Sequence, residues 1–135
     1  MAAKPVLFDT SAFYALLSRT DRFHPAAREA LGRLVDAERE LWTTSYILTE
    51  TMALVERRLT FDTLSRFVVG LGALPTVLWI DREVHTQAWE RYAATPDATL
   101  GFVDWTTAIA ATRLNADVFT FDQGFRAAKI PTLEV

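Results

Sequence analysis

Two short apolar runs, each ending on an aspartate, constrain this chain more than anything else in it. The first, Val6-Leu7-Phe8-Asp9, leads into Thr10-Ser11-Ala12-Phe13; the second, Val118-Phe119-Thr120-Phe121-Asp122, leads into Gln123-Gly124-Phe125. Three apolar residues without alternation read as a strand buried on both faces, the habit of a parallel sheet. The hydroxyls after Asp9 can cap a helix, and Phe13, Leu16 and Leu17 continue at helical spacing. Asp9 is therefore expected where a strand ends and a helix begins. In open α/β sheets that carboxyl edge binds ligands. Two strands ending on aspartate imply one site built from both.

Between these runs the chain alternates helices and strands with no linker, repeat or low-complexity tract. Pro25 suits the first position of a helix, and Ala27, Ala30, Leu31, Leu34 and Val35 form its apolar stripe. Leu41-Trp42-Thr43 reads as a second strand, with Ser45 capping a helix that carries Leu48, Met52, Val55 and Leu59. Thr60 caps the next helix, with Leu64, Phe67, Val68 and Leu71 on one face; Gly70, Gly72 and Pro75 end it. A third strand is expected over Thr76 to Ile80, then a helix capped by Asp81. The loop over 95–99 precedes an Ala-rich helix from about Phe102 to Leu114. Turn chemistry accounts for Asp97 and Asp117. The strand ending at Asp122, a short helix over 125–128 and a last strand over 132–135 complete the chain. The pattern predicts one α/β domain over residues 1–135: a five-stranded, mainly parallel sheet with helices on both faces.

Composition narrows the chemistry. At 135 residues and half hydrophobic, the chain can bury a real core. It contains no apolar run of membrane-spanning length and no cysteine, which excludes thiolate metal sites and fits a cytoplasmic protein. The net charge is −3, so a nucleic acid would have to be gripped locally rather than by the overall field. There is no P-loop, no dinucleotide-type glycine pattern and no nucleophile elbow. His24 and His85 lack partners at zinc spacing; His24 is expected at a helix start and His85 on a polar helix face.

Acids remain. Asp9, Glu50, Asp104 and Asp122 are each embedded in apolar sequence. Singly, each can be a cap, a helix-dipole partner or a solvated face. Together they are costly near a core unless a hard cation such as Mg²⁺ or Mn²⁺ takes their oxygens.

The blocks that carry these acids resemble a known family. Val6-Leu7-Phe8-Asp9-Thr10-Ser11, Thr44-Ser45 through Glu50, Phe102-Val103-Asp104, and Asn115-Ala116-Asp117 through Phe125 are similar to PIN-domain ribonucleases, most closely VapC-type toxins. Four blocks in the family's order cover nearly the whole chain. The resemblance implies a sheet ordered 3-2-1-4-5, with Asp9 and Asp122 as neighbours. It also implies Mg²⁺-dependent hydrolysis of RNA at Asp9, Glu50, Asp104 and Asp122, supported by the hydroxyls of Thr10 and Thr120. It further implies an antitoxin chain laid across the site; apolar helix surface such as Leu48-Met52-Val55-Leu59 and Leu64-Phe67-Val68-Leu71 suits such a partner or a second copy of the chain in a homodimer. One departure is Gly101, where relatives carry a small hydroxyl residue; glycine can cap without a side-chain acceptor. Arg19, Arg22, Arg126 and Lys129 flank the motifs and are candidates for phosphate contacts.

Two other readings compete. A PIN-like module can bind RNA or protein without cutting it. A haloacid-dehalogenase-type phosphatase needs a second acid two residues after its aspartate, where this chain has Ser11.

Overall fold

Strand β1 (Val6–Phe8) is hydrogen-bonded on both sides, and the architecture follows from that. In the computed structural model, which describes residues 3–96 and 99–135, β1 pairs in parallel with β2 (Leu41–Thr44) and with β4 (Asp117–Phe119). Strand β3 (Thr76–Leu78) adds outside β2, giving the order β3-β2-β1-β4. A parallel neighbour on each side leaves β1 no solvent-facing edge. Its three residues are accordingly fully buried.

The helices cover both faces. Helices α1 (Thr10–Leu17), α2 (His24–Asp36), α3 (Ser45–Arg58) and α4 (Phe61–Val69) precede β3, the last followed by a 3₁₀ turn over Leu71–Ala73. After β3 come α5 (Arg82–Ala94), α6 (Phe102–Leu114) and, beyond β4, α7 (Gln123–Ala127). Because side chains alternate along a strand, Val6 and Phe8 enter one core with Phe13, Ile47, Phe67 and Phe119. Leu7 enters the other with Trp105, Val118 and Phe125. Phe8 packs edge-on against Phe119 with ring centroids 5.0 Å apart, and Phe13 against Phe67 at 5.2 Å. Truncating a phenylalanine in such a position costs about 3–5 kcal/mol.

The expected boundaries hold with five differences, one of them that β3 stops at Leu78 rather than Ile80. The fifth strand is reduced to one parallel bridge, Val118 to Thr132, in the expected place beside β4. Among the described residues the sheet therefore has four strands, not five. Strand β4 stops at Phe119, so Asp122 is not a strand end; it caps α7 through Gly124 N–H. That helix also starts two residues earlier than expected. The cap of α3 is Thr44, which accepts from Ile47 N–H at 3.1 Å, while Ser45 Oγ takes Ile80 N–H at 3.0 Å. A hydroxyl at the end of a strand faces the helix start more directly than one already inside the helix. Asp97, in the loop expected over 95–99, lies outside the described residues. Among the described residues no helix is long and apolar enough to cross a membrane.

Candidate active site

Parallel pairing puts the two predicted strand ends side by side. With Phe8 opposite Phe119, the ladder continues one step to a 3.1 Å hydrogen bond from Asp9 N–H to Phe119 O. Asp9 then faces Thr120. It also caps α1, since Oδ1 accepts Ala12 N–H at 3.2 Å and the Ser11 hydroxyl at 2.8 Å. Oδ2 accepts the Thr120 hydroxyl at 2.8 Å. Asp9 is only 4% exposed, and among the described residues no lysine or arginine forms an ion pair with it. Burial therefore dominates and pushes its pKa up to about 7, against the lowering effect of the three hydrogen bonds; Asp104 nearby raises it further.

Asp104 lies in the first turn of α6, and its Oδ2 accepts Gly101 N–H at 3.1 Å. Its pKa is raised to about 6, mainly by burial and then by the like charges of Asp122 and Glu50. Asp122 Oδ1 accepts Gly124 N–H at 2.8 Å, and its own N–H bonds to Thr120 Oγ1 at 2.9 Å. Glu50, on the exposed side of α3, accepts the Thr10 hydroxyl at 2.6 Å. All four acids line one open cavity of about 390 Å³. The sheet edge, α1, α3, α6 and the start of α7 thus converge on a single pocket.

Sequence reasoning passed over three features of that pocket. Ser11, besides bonding Asp9, accepts Phe121 N–H at 2.8 Å and so ties α1 to the segment after β4. Asp21 adds a fifth acid to the lining; its carboxylate closes a tight turn by accepting Phe23 N–H at 2.8 Å. Phe23 and Phe121 stack with centroids 4.7 Å apart and form one wall. The hydroxyl two residues after Asp9 and the Asp-x-Phe turn were the available signals. The histidines stay outside the cavity: His24 Nδ1 pairs with Ala15 O at 2.7 Å, and His85 Nδ1 with the Tyr46 hydroxyl at 2.6 Å.

The donor set suits a hard cation: carboxylates and hydroxyls, no sulfur, and a buried aspartate without counter-charge. Among the described residues, however, no three acids or histidines are spaced to enclose one ion. Mg²⁺ commonly takes only one or two carboxylates and keeps several waters. The residues present fit that mode, with Asp9 and Asp104 as the electrostatically coupled pair.

Carboxylates gathered where strand order reverses, between β1 and β4, define an open α/β domain with an acidic switch-point site. The chain belongs to the PIN domain family, whose model matches residues 6–131. Among solved structures it is similar to the Mycobacterium tuberculosis sarcin–ricin loop cleaving toxin VapC20, with 24% identity and a TM-score of 0.81 over 95% of this chain and 98% of that one. Likeness to FitAcB from Neisseria gonorrhoeae gives 19% identity and a TM-score of 0.72 over 96% of each chain. Rickettsia felis VapBC2, bound to a DNA fragment from its promoter, gives 14% and 0.72, again over 96% of each chain. At these identities the likeness speaks for the fold. No curated protein matches.

Proposed function

We propose that this PIN domain is a divalent-metal-dependent endoribonuclease, the toxin component of a VapBC-type toxin–antitoxin pair. The observation that carries the reading is Asp9: a buried carboxylate with no cationic partner among the described residues, aimed into a cavity that holds three further candidate acids. Such a group is stable near neutrality either protonated or beside a cation. Asp9 and Asp104 would hold Mg²⁺ or Mn²⁺, with Asp122 and Glu50 reaching it through water. When bound, the ion supplies an activated water and charge stabilisation for the leaving oxygen. The Thr10 hydroxyl fixes the carboxylate of Glu50, which would orient the attacking water. Ser11 and Thr120 hold both oxygens of Asp9, so its orientation is set before any ion arrives.

The toxin part of the reading is supported by the family and by the likeness to VapC20 and VapBC2. A groove of about 880 Å³ on the α1–α2–α4 side adds to it, with Leu17, Leu31 and Leu59 in its lining beside Arg19, Arg28, Arg58 and Arg66. Apolar residues flanked by arginines suit an amphipathic partner helix with acidic edges. The homodimer belongs to the same reading, and sedimentation of the purified chain tests it. The decisive experiment is RNA cleavage with and without Mg²⁺, for wild type and Asp9→Asn. Cleavage that needs Mg²⁺ and Asp9 supports the reading. RNA bound but never cut at any metal concentration favours a non-catalytic module instead.

A further inference from the structure

We propose that a second cavity, across the Phe23–Phe121 ring pair from the acids, binds the phosphate of a nucleotide flanking the cleaved bond, with Arg126 as its partner. The inference rests on the nuclease reading and adds a place for the rest of the strand. This cavity, of about 340 Å³, shares Phe23, Phe121 and Asp122 with the acid cavity, so the two are continuous along one wall. On one side of the wall the lining is anionic. On the other, among the described residues, the only charged side chain besides the shared Asp122 is Arg126.

Arg126 is poorly engaged within the protein. Its guanidinium makes one long contact, 3.4 Å to Thr132 Oγ1. It stands one helical turn after Asp122, a spacing at which opposite charges often pair. Among the described residues it nevertheless forms no ion pair, with Asp122 or any other acid. Asp122 Oδ1 is turned instead toward Gly124 N–H. A guanidinium with most of its five donors unused, in a cavity that also contains the hydroxyl of Thr132, is matched to a phosphate.

The electrostatics give the strand a direction. A phosphate beside the acids is tolerated only where a cation offsets the carboxylates, and the next phosphate along is repelled unless it meets positive charge. Arg126 provides that charge about 6 Å along α7 from Asp122, four residues at about 1.5 Å each. Between the two positions, Phe23 and Phe121 offer aromatic surface to a base, with the Arg22 guanidinium 4.5 Å over the Phe23 ring. Arg22 covers the wall, while Arg126 takes the phosphate.

The test measures binding of a fluorescent pool of random single-stranded RNA octamers to the full chain by anisotropy, between about 50 and 200 mM KCl at fixed Mg²⁺, with every protein also carrying Asp9→Asn so that the pool is not cut. Arg126→Gln is expected to weaken binding several-fold and to reduce the slope of log K against log salt by about 0.7, the loss of one single-strand phosphate contact. Arg126→Lys keeps the charge and should keep the slope, which a merely structural role for the guanidinium would not predict. Arg33→Gln, which removes an exposed arginine paired with Glu29 on α2, should leave the slope at its wild-type value. If Arg126→Gln binds with the wild-type slope while wild type still cleaves RNA, the phosphate site is overturned and the nuclease reading stands. If wild type neither binds nor cleaves RNA, both fall together.

Discussion

The hydroxyl of Thr120 donates to Asp9 Oδ2 at 2.8 Å across 111 positions of sequence, and the same oxygen accepts Asp122 N–H at 2.9 Å. One side chain thereby joins the acid at the end of β1 to the acid at the start of α7. Ser11 mirrors it, donating to Asp9 Oδ1 and accepting Phe121 N–H. Each hydroxyl has a single proton. With Asp9 ionised both protons go to its carboxylate, so the 3.2 Å contact between Ser11 and Thr120 carries none.

Thr120→Val should therefore weaken the site from two sides. It leaves Asp9 Oδ2 and Asp122 N–H without partners, at a cost of about 1–3 kcal/mol. Because the Thr120 hydrogen bond lowers the Asp9 pKa, its loss should move the rising limb of the pH–cleavage profile to higher pH. Thr120→Ser should restore both stability and profile. Urea unfolding and cleavage rates across pH check this.

Asp9→Asn should abolish cleavage yet strengthen the fold above neutral pH. Lifting a carboxylate pKa from 3.8 to about 7 corresponds to about 4 kcal/mol of destabilisation once the group is ionised, at about 1.36 kcal/mol per unit. Asparagine removes the charge, keeps Oδ1 as the α1 cap and can donate to Thr120. The expected gain at about pH 8 is positive and at most that large. A variant that is both less stable and fully active would contradict the assignment.

For the metal-free protein the sign of the pH dependence follows from the same shifts. Between 3.8 and about 7 the unfolded chain releases the Asp9 proton while the folded chain retains it; Asp104 behaves likewise up to about 6. The contribution of this pair to stability is therefore greatest below 3.8, declines through that window and is flat above it. Mg²⁺ binds the ionised form, so it should release protons and stabilise little at about pH 5 and progressively more toward neutrality. Thermal melts with and without Mg²⁺, and calorimetry in buffers of different ionisation enthalpy, measure both. Metal binding without proton release would exclude a shared acid site.

Much of this was legible before any coordinates. The aspartates after Val6-Leu7-Phe8 and before Gln123 announce themselves because apolar runs rarely end on a charge without a reason. Thr60 and Asp81 cap the helices expected of them, through Thr63 and Val84 N–H. Failures came where tertiary pairing overrides local pattern. Phe119-Thr120-Phe121 alternates like a strand, but β1 ends at Phe8, so β4 loses its partner after Phe119. Thr132 to Val135 has β propensity, yet only Thr132 pairs with β4. The apolar faces of α3 and α4 divide in the same way: Val55 and Phe67 are buried, while Met52 and Val68 remain partly or largely exposed. Periodicity alone could not distinguish these pairs.

Charge reversal in the groove should separate partner binding from catalysis. Arg58→Glu combined with Arg66→Glu replaces two cations beside the groove with anions, away from the acids. Affinity for the antitoxin of the proposed pair should fall at least about tenfold, with RNA cleavage unchanged. In wild type, inhibition by that protein should weaken as Mg²⁺ rises, if the partner places a basic side chain among the acids. A partner that binds tightly but leaves metal affinity and cleavage intact would rule out occlusion.

Gly124 has a φ within the ordinary range, so its small size rather than its backbone freedom is what the fold uses. A Cβ there would lie 3.0 Å from both Leu100 Cδ2 and Thr99 Oγ1, and 3.2 Å from Asp122 Oδ1. The segment leading to Asp104 is thus seated directly on the turn that holds Asp122. In genetic terms, inactivating alleles should not be confined to the acidic codons. A random-mutagenesis screen should recover Gly124→Val beside Asp122→Asn, as a lesion that separates two acids without altering either.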